Sequence, residues 1–139
     1  MSLTVIHRAL RKQLLQLTAL PVLATSWENV NFTPVVGTPY QRTTFMPNQP
    51  DNSTMGSAMY LLTGRFQVDL FYPSGGSSVP ATERAELLQK LFMRGTTMTE
   101  GGLSVVVTLT PRIAQGGSGM DTDRFHVPVI VNWQCFIAT

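Results

Sequence analysis

The run Met59-Tyr60-Leu61-Leu62-Thr63-Gly64-Arg65-Phe66-Gln67-Val68-Asp69-Leu70-Phe71-Tyr72 alternates polar and apolar residues from Arg65 to Leu70. Phe66, Val68, Leu70 and Tyr72 fall on one side of an extended chain, and Arg65, Gln67 and Asp69 on the other. Period-two alternation over this length predicts a strand with one buried face. A second helix is expected to follow it. Pro73 to Ser78 reads as a turn, Pro80 suits the first helical position, and Gly95 is a natural stop after Arg94. Ala81, Ala85, Leu88, Leu91 and Phe92 form that helix's apolar stripe, with Glu83 and Glu86 near its positive end.

Upstream, Val5, Ile6, Ala9, Leu10, Gln13, Leu14 and Leu17 recur at three and four, with Arg8, Arg11, Lys12 and Gln16 elsewhere on the wheel. This is a core-packing helix, with Ser2 as N-cap and Pro21 as terminator. The basic patch before Leu14 to Ala24 superficially resembles an export signal, but Gln13, Gln16, Thr18 and Pro21 break the apolar run. No apolar stretch reaches the ~18 residues that span a bilayer, so no membrane partner is expected. Thr25 to Phe32 reads as a short extended segment, Val35 to Pro39 as a turn, and Tyr40 to Met46 as a strand. Pro47 to Ser57 holds two prolines and short polar residues and reads as a mobile loop. Downstream, Leu103 to Arg112 and Val127 to Phe136 read as two further strands joined by a Gly-rich hairpin loop, Ile113 to Asp123. The last strand is apolar on both faces, which suggests a central or two-side-covered position. The pattern predicts a small α+β single domain over residues 1–139. Its antiparallel or mixed β-sheet should have four to five strands, with two helices packed on one face.

Composition narrows the function. A domain of 139 residues buries roughly 70% of its unfolded surface and requires no disulfide or metal staple. Charged residues are 13% of the chain, against a usual value of about 25%. A polar, weakly charged surface suits a chain that meets other subunits, because interface cores are depleted in charge. A net charge of +2, with bases scattered apart from Arg8, Arg11 and Lys12, does not make a nucleic-acid footprint.

Chemistry-bearing motifs are sparse. Cys135 lies in an apolar run and reads as a buried, inert thiol. His7, His126 and Cys135 lack metal-ligand spacing, and Asp121 with Asp123 lacks the frame of a calcium loop. Gly116, Gly117 and Gly119 precede a strand instead of a helix and have no Lys beside them, so they do not make a phosphate cradle. No Gly-x-Ser-x-Gly elbow occurs, and His126 reads as structural. No catalytic, cofactor-binding or metal-binding residue is therefore assigned. Asp69 shares a strand face with Arg65, either as a polar position at a subunit or channel surface or as a cross-strand pair on an exposed face.

The order of certain runs carries a resemblance. Trp27-Glu28-Asn29-Val30-Asn31-Phe32-Thr33-Pro34 is followed by Pro39-Tyr40-Gln41-Arg42 and then by Gly64 to Pro73. Arg84-Ala85-Glu86-Leu87-Leu88 and the Val127 to Gln134 run complete the series. Together these resemble the lambda-type phage tail-terminator proteins from about Leu3 to Phe136, on motifs that are individually unspecific and not catalytic. The resemblance implies a structural protein of a phage or prophage tail, assembled in the bacterial host cytoplasm. It would be a homo-oligomer, a hexameric ring that caps the tail tube and offers a surface to head-completion proteins. DNA would pass through the lumen without specific binding. Arg42, Arg65 and Arg112 are candidates for facing that lumen, Asp69 for an assembly position, and Met46, Met55 and Met59 for an adaptable contact with a partner. The competing readings are a tube subunit or connector stopper, which would be a structural protein of a different kind, and a small-molecule binding domain or enzyme. The last needs a deep pocket with converging polar groups.

Overall fold

The computed structural model describes residues 2–17, 23–34, 37–50, 59–73, 79–114 and 124–138. Two helices and seven strands follow in the order α1 (Ser2–Leu15), β1 (Ala24–Ser26), β2 (Tyr40–Pro47), β3 (Met59–Pro73), α2 (Val79–Leu91), β4 (Thr97–Glu100), β5 (Leu103–Val107), β6 (Arg112–Ile113) and β7 (Arg124–Ala138). The sheet order is β1-β2-β3-β7-β5-β4, with β6 on β7. Among the described residues only β1, on β2, pairs in parallel. The α+β class stands. The strand number exceeds the expected four to five.

The period-two reading of β3 holds. Phe66, Val68 and Leu70 are fully buried on one face. In the long β3–β7 pairing Gly64 opposes Trp133, Phe66 opposes Val131 and Val68 opposes Val129, so both strands turn these residues to the same side. The apolar stripe of α1 (Ile6, Ala9, Leu10, Leu14) and that of α2 (Ala81, Ala85, Leu88) close over this side as one core. Gln13 of α1 donates from Nε2 to the Leu91 carbonyl at 2.9 Å, satisfying one of the carbonyls a helix C-terminus leaves without a partner. Among the described residues, the other side of the sheet carries no helix.

Four local expectations are corrected. The extended segment read over Thr25 to Phe32 pairs only at Ala24–Ser26, after which the chain turns, with Asn29 at φ 57°. The strand read as Leu103 to Arg112 is two pieces. Between the pairs Val107–Trp133 and Arg112–Ile130 the β5–β6 chain advances five residues and β7 three, a bulge of two. Pro111 lies in that bulge, has no N–H for a ladder, and offers its carbonyl to Gln89 Nε2 at 2.9 Å. A hairpin partner for β5 went unread. Thr97–Glu100 pairs with Leu103–Val106 across Gly101-Gly102, both at positive φ, which two-residue hairpin turns require. Finally, β7 is central but covered on one face only. Val127, Val129, Val131, Trp133, Cys135 and Ile137 are buried, whereas Phe136 is exposed.

The second helix ends at Leu91, and Gly95 (φ 92°) serves a later turn closed by the Thr96 N–H on the Met93 carbonyl. The side chain of Ser2, together with Pro21, the Gly-rich residues 115–123 with Asp121 and Asp123, and residues 51–58 with Met55, lies outside the described residues.

Candidate functional site

Strand parity gathers the nominated residues on the helix-free face. Arg42 opposes Asp69, and Met46 opposes Arg65. Met59 shares their parity on β3, and Arg112 opposes Ile130, which in turn opposes Gln67. Six positions chosen from scattered places in the sequence therefore share one surface. Arg42, Arg65 and Arg112 are exposed there, and Met59 is 43% exposed.

Asp69 is the exception in burial. Its residue is only 2% exposed although no helix covers this face. Its neighbours on the face do the covering. Oδ1 accepts from His126 Nε2 at 2.8 Å and from Gln67 Nε2 at 2.7 Å. Oδ2 lies 3.8 Å from Nη2 of Arg42, a looser ion pair. The Arg42 guanidinium also sits 5.0 Å over the Phe71 ring. Phe71 stacks on Tyr40 at 4.8 Å and on His126 at 4.7 Å. A row of rings (Tyr40, Phe71, His126) thus runs across β2, β3 and β7 beside the Arg42–Asp69 pair of β2 and β3. A buried carboxylate is tolerated only with donors or cations around it, and this one has two hydrogen-bond donors and one ion pair. The expected partner on its own strand, Arg65, is replaced by Arg42 across the strand. His126 lies two residues inside β7, and the histidine read as structural is one of the two hydrogen-bond donors to Asp69 Oδ1. The signal available in the sequence was parity: Phe71 shares the Asp69 face, and its register neighbour is His126.

Elsewhere, groups of opposite charge strap elements together. Glu100 receives Lys12 at 2.7 Å and Arg8 at 3.7 Å, and the Lys12 hydrogen bond leads the causes holding its carboxyl below the usual range. The Glu28 carboxylate accepts the Phe45 N–H on the β2 edge. His7 stacks on Phe45 at 4.6 Å, with Nε2 3.6 Å from Glu28, too long for a hydrogen bond. Burial, and then the charge of Arg11, lower the His7 pKa. Burial raises the Cys135 thiol on the core side of β7, which suits an inert residue. Among the described residues no group of three His, Cys, Asp or Glu side chains could hold a metal ion, and no helix is long and apolar enough to cross a membrane. Among the described residues the open face presents three exposed arginines beside exposed Met59 and Phe136, and its carboxylate Asp69 is internally saturated. Such a surface is suited to contact more than to proton transfer.

Comparison with known proteins bears on this surface. A family model described as phage tail terminator protein matches residues 5–133. A solved structure is similar at 29% identity and a TM-score of 0.78, over 97% of this chain and 96% of that one. No curated protein matches.

Proposed function

We propose, from the premise that this chain belongs to the phage tail terminator family, that it caps the tail tube as a closed ring and offers the surface to which the head is joined. The family is structural and not enzymatic, and its place is the virion tail. The finer reading is a hexamer, encoded by a phage or prophage and assembled in the host cytoplasm. The tube protein and a head-completion protein are its neighbours.

The observation that carries the ring reading is the helix-free sheet face. Arg42, Arg65 and Arg112 lie there together, Asp69 is already satisfied, and the remaining positions are largely uncharged, such as Thr44, Gln67, Asn132 and Gln134. A wall with a few dispersed cations attracts a polyanion without gripping it, because affinity for DNA climbs steeply with the number of phosphates neutralised. We assign this face to the lumen through which DNA passes.

Electron microscopy of purified tail tubes with and without the protein tests the reading. The expected result is a closed ring at one end of each tube and an end to tube growth. Unlimited polymerisation of the protein alone would make it a tube subunit instead.

A further inference from the structure

The two edges of the sheet differ in what they leave open. On one side β1 covers the start of β2, the Phe45 N–H beyond it is taken by Glu28, and Pro47 has no N–H to offer. With β1 only three residues long and β2 blunted beyond it, that edge resists strand addition. On the other side β4 is the last strand and pairs only with β5. The Val107 N–H on the Thr96 carbonyl sets the alternation of this hairpin, so the amides and carbonyls of Thr97 and Thr99 face outward. Among the described residues nothing pairs with them. Both threonines are exposed, and α1 runs alongside. The result is a groove of about 210 Å³ between Lys12 and Gln13 on the helix, Gln16 just past its end, and Thr97, Thr99 and Glu100 on the strand.

A groove between a helix and an open strand edge fits an extended backbone, because main-chain hydrogen bonds supply the affinity. We propose that the α1–β4 groove receives residues 48–57 of a second copy of this chain, added as a strand along Thr97 and Thr99.

Three observations select that occupant. Thr97 aligns through Val106 and Gln134 with Thr63, and the segment leaves the sheet at this same level, where Asn48 N donates to the Thr63 carbonyl at 2.8 Å. The start of the segment and the groove are therefore level along the strands but on opposite halves of the sheet. That is the placement a head-to-tail contact needs if rotation about an axis along the strands is to close it. Charge agrees. The groove rim carries Arg8 and Lys12 against one carboxylate, Glu100, and the segment's only charged residue is Asp51. Backbone chemistry agrees as well, since residues 51–57 contain no proline and each has an N–H to donate.

This inference rests on the ring reading, and the test separates the two. Thr99→Pro removes an outward amide that the fold does not use, a position where an edge strand tolerates proline. Sedimentation of the parent, of Thr99→Pro and of a variant with 48–57 replaced by a Gly-Ser turn is combined with amide exchange at Thr97 and Thr99 in the parent assembly. The expected result is slowed exchange at both threonines in the assembly and association weakened at least ~10-fold in both variants, a loss of about 1.4 kcal/mol. Rings that form equally in all three proteins, or fast exchange at Thr97 and Thr99 within the parent ring, would overturn the groove and leave the ring standing. A parent that assembles neither alone nor on tubes would overturn the ring. A synthetic 48–57 peptide titrated into the parent then decides the groove alone. Saturable shifts at the Thr97 and Thr99 amides uphold it, and their absence removes it. If Thr99→Pro does not fold, the exchange measurement on the parent decides.

Discussion

Gly64 lies directly under the indole of Trp133, its register partner, and a Cβ placed on it would stand 2.6 Å from the Trp133 Cζ2 atom. The same Cβ would stand 2.6 Å from the Met46 carbonyl oxygen, which is backbone and cannot swing away. The indole is 1% exposed and stacks on Phe45 at 5.5 Å, so the glycine makes room for the largest side chain of the core.

Gly64→Ala should therefore destabilise the fold by about 1–3 kcal/mol, the usual range for overpacking. Trimming the indole, as in Gly64→Ala with Trp133→Leu, should not restore the loss, because the carbonyl contact remains. Urea unfolding of the two variants checks this. A double variant as stable as Trp133→Leu alone would show that the backbone moves freely here.

The short Asp69–His126 contact and the longer Asp69–Arg42 contact should differ in worth. Asp69→Ala leaves donors without their acceptor and should cost about 1–3 kcal/mol. Arg42 is half-exposed, so water screens its share. Double-mutant cycles with Asp69→Asn should give a larger coupling to His126→Gln than to Arg42→Gln. Equal couplings would mean that the 2.8 Å geometry does not set the energy.

Leu10 and Leu14 are 0% and 2% exposed, inside the cluster that joins α1 to the sheet. Each truncation to Ala should cost ~2–5 kcal/mol in chemical denaturation. Parent-like melting of both would make α1 peripheral.

His7 links stability to pH. Its folded pKa is lowered below 6.5, first by burial and then by Arg11. The unfolded chain then takes a proton near 6.5 while the folded one does not. Its contribution is complete above 6.5 and declines as pH falls from there toward the folded value. His7→Phe keeps a ring against Phe45 and removes the titration. The stability difference between parent and variant should thus tilt against the parent on acidification from about pH 7 to 5. A pH-independent difference would contradict this origin.

Duplex DNA should bind the isolated chain weakly, with a shallow salt dependence that Arg65→Gln with Arg112→Gln flattens further. Tight binding at physiological salt, measured by fluorescence anisotropy, would argue against a face past which DNA slides.

Local periodicity made much of this molecule legible. The alternation of Phe66, Val68 and Leu70, the stripe of Ile6, Ala9, Leu10 and Leu14, and the stripe of Ala81, Ala85 and Leu88 each reflect one element hiding one face, and each is written within a few residues. The side of β3 that bears Arg65 and Asp69 was legible for the same reason. The tertiary structure alone decided who meets whom. Asp69 and His126 stand 57 residues apart, and their contact depends on how β3 slides against β7, which neither strand's own pattern contains. The strand read over Leu103 to Arg112 broke before Pro111, whose carbonyl goes to Gln89 while the Thr108 N–H goes to the Asn132 carbonyl, and these are contacts made from other elements. That six scattered residues share an open face follows from both helices crossing the same side of the sheet. An amphipathic helix determines that it must bury its stripe, but the connections and register of the whole sheet determine which face receives it.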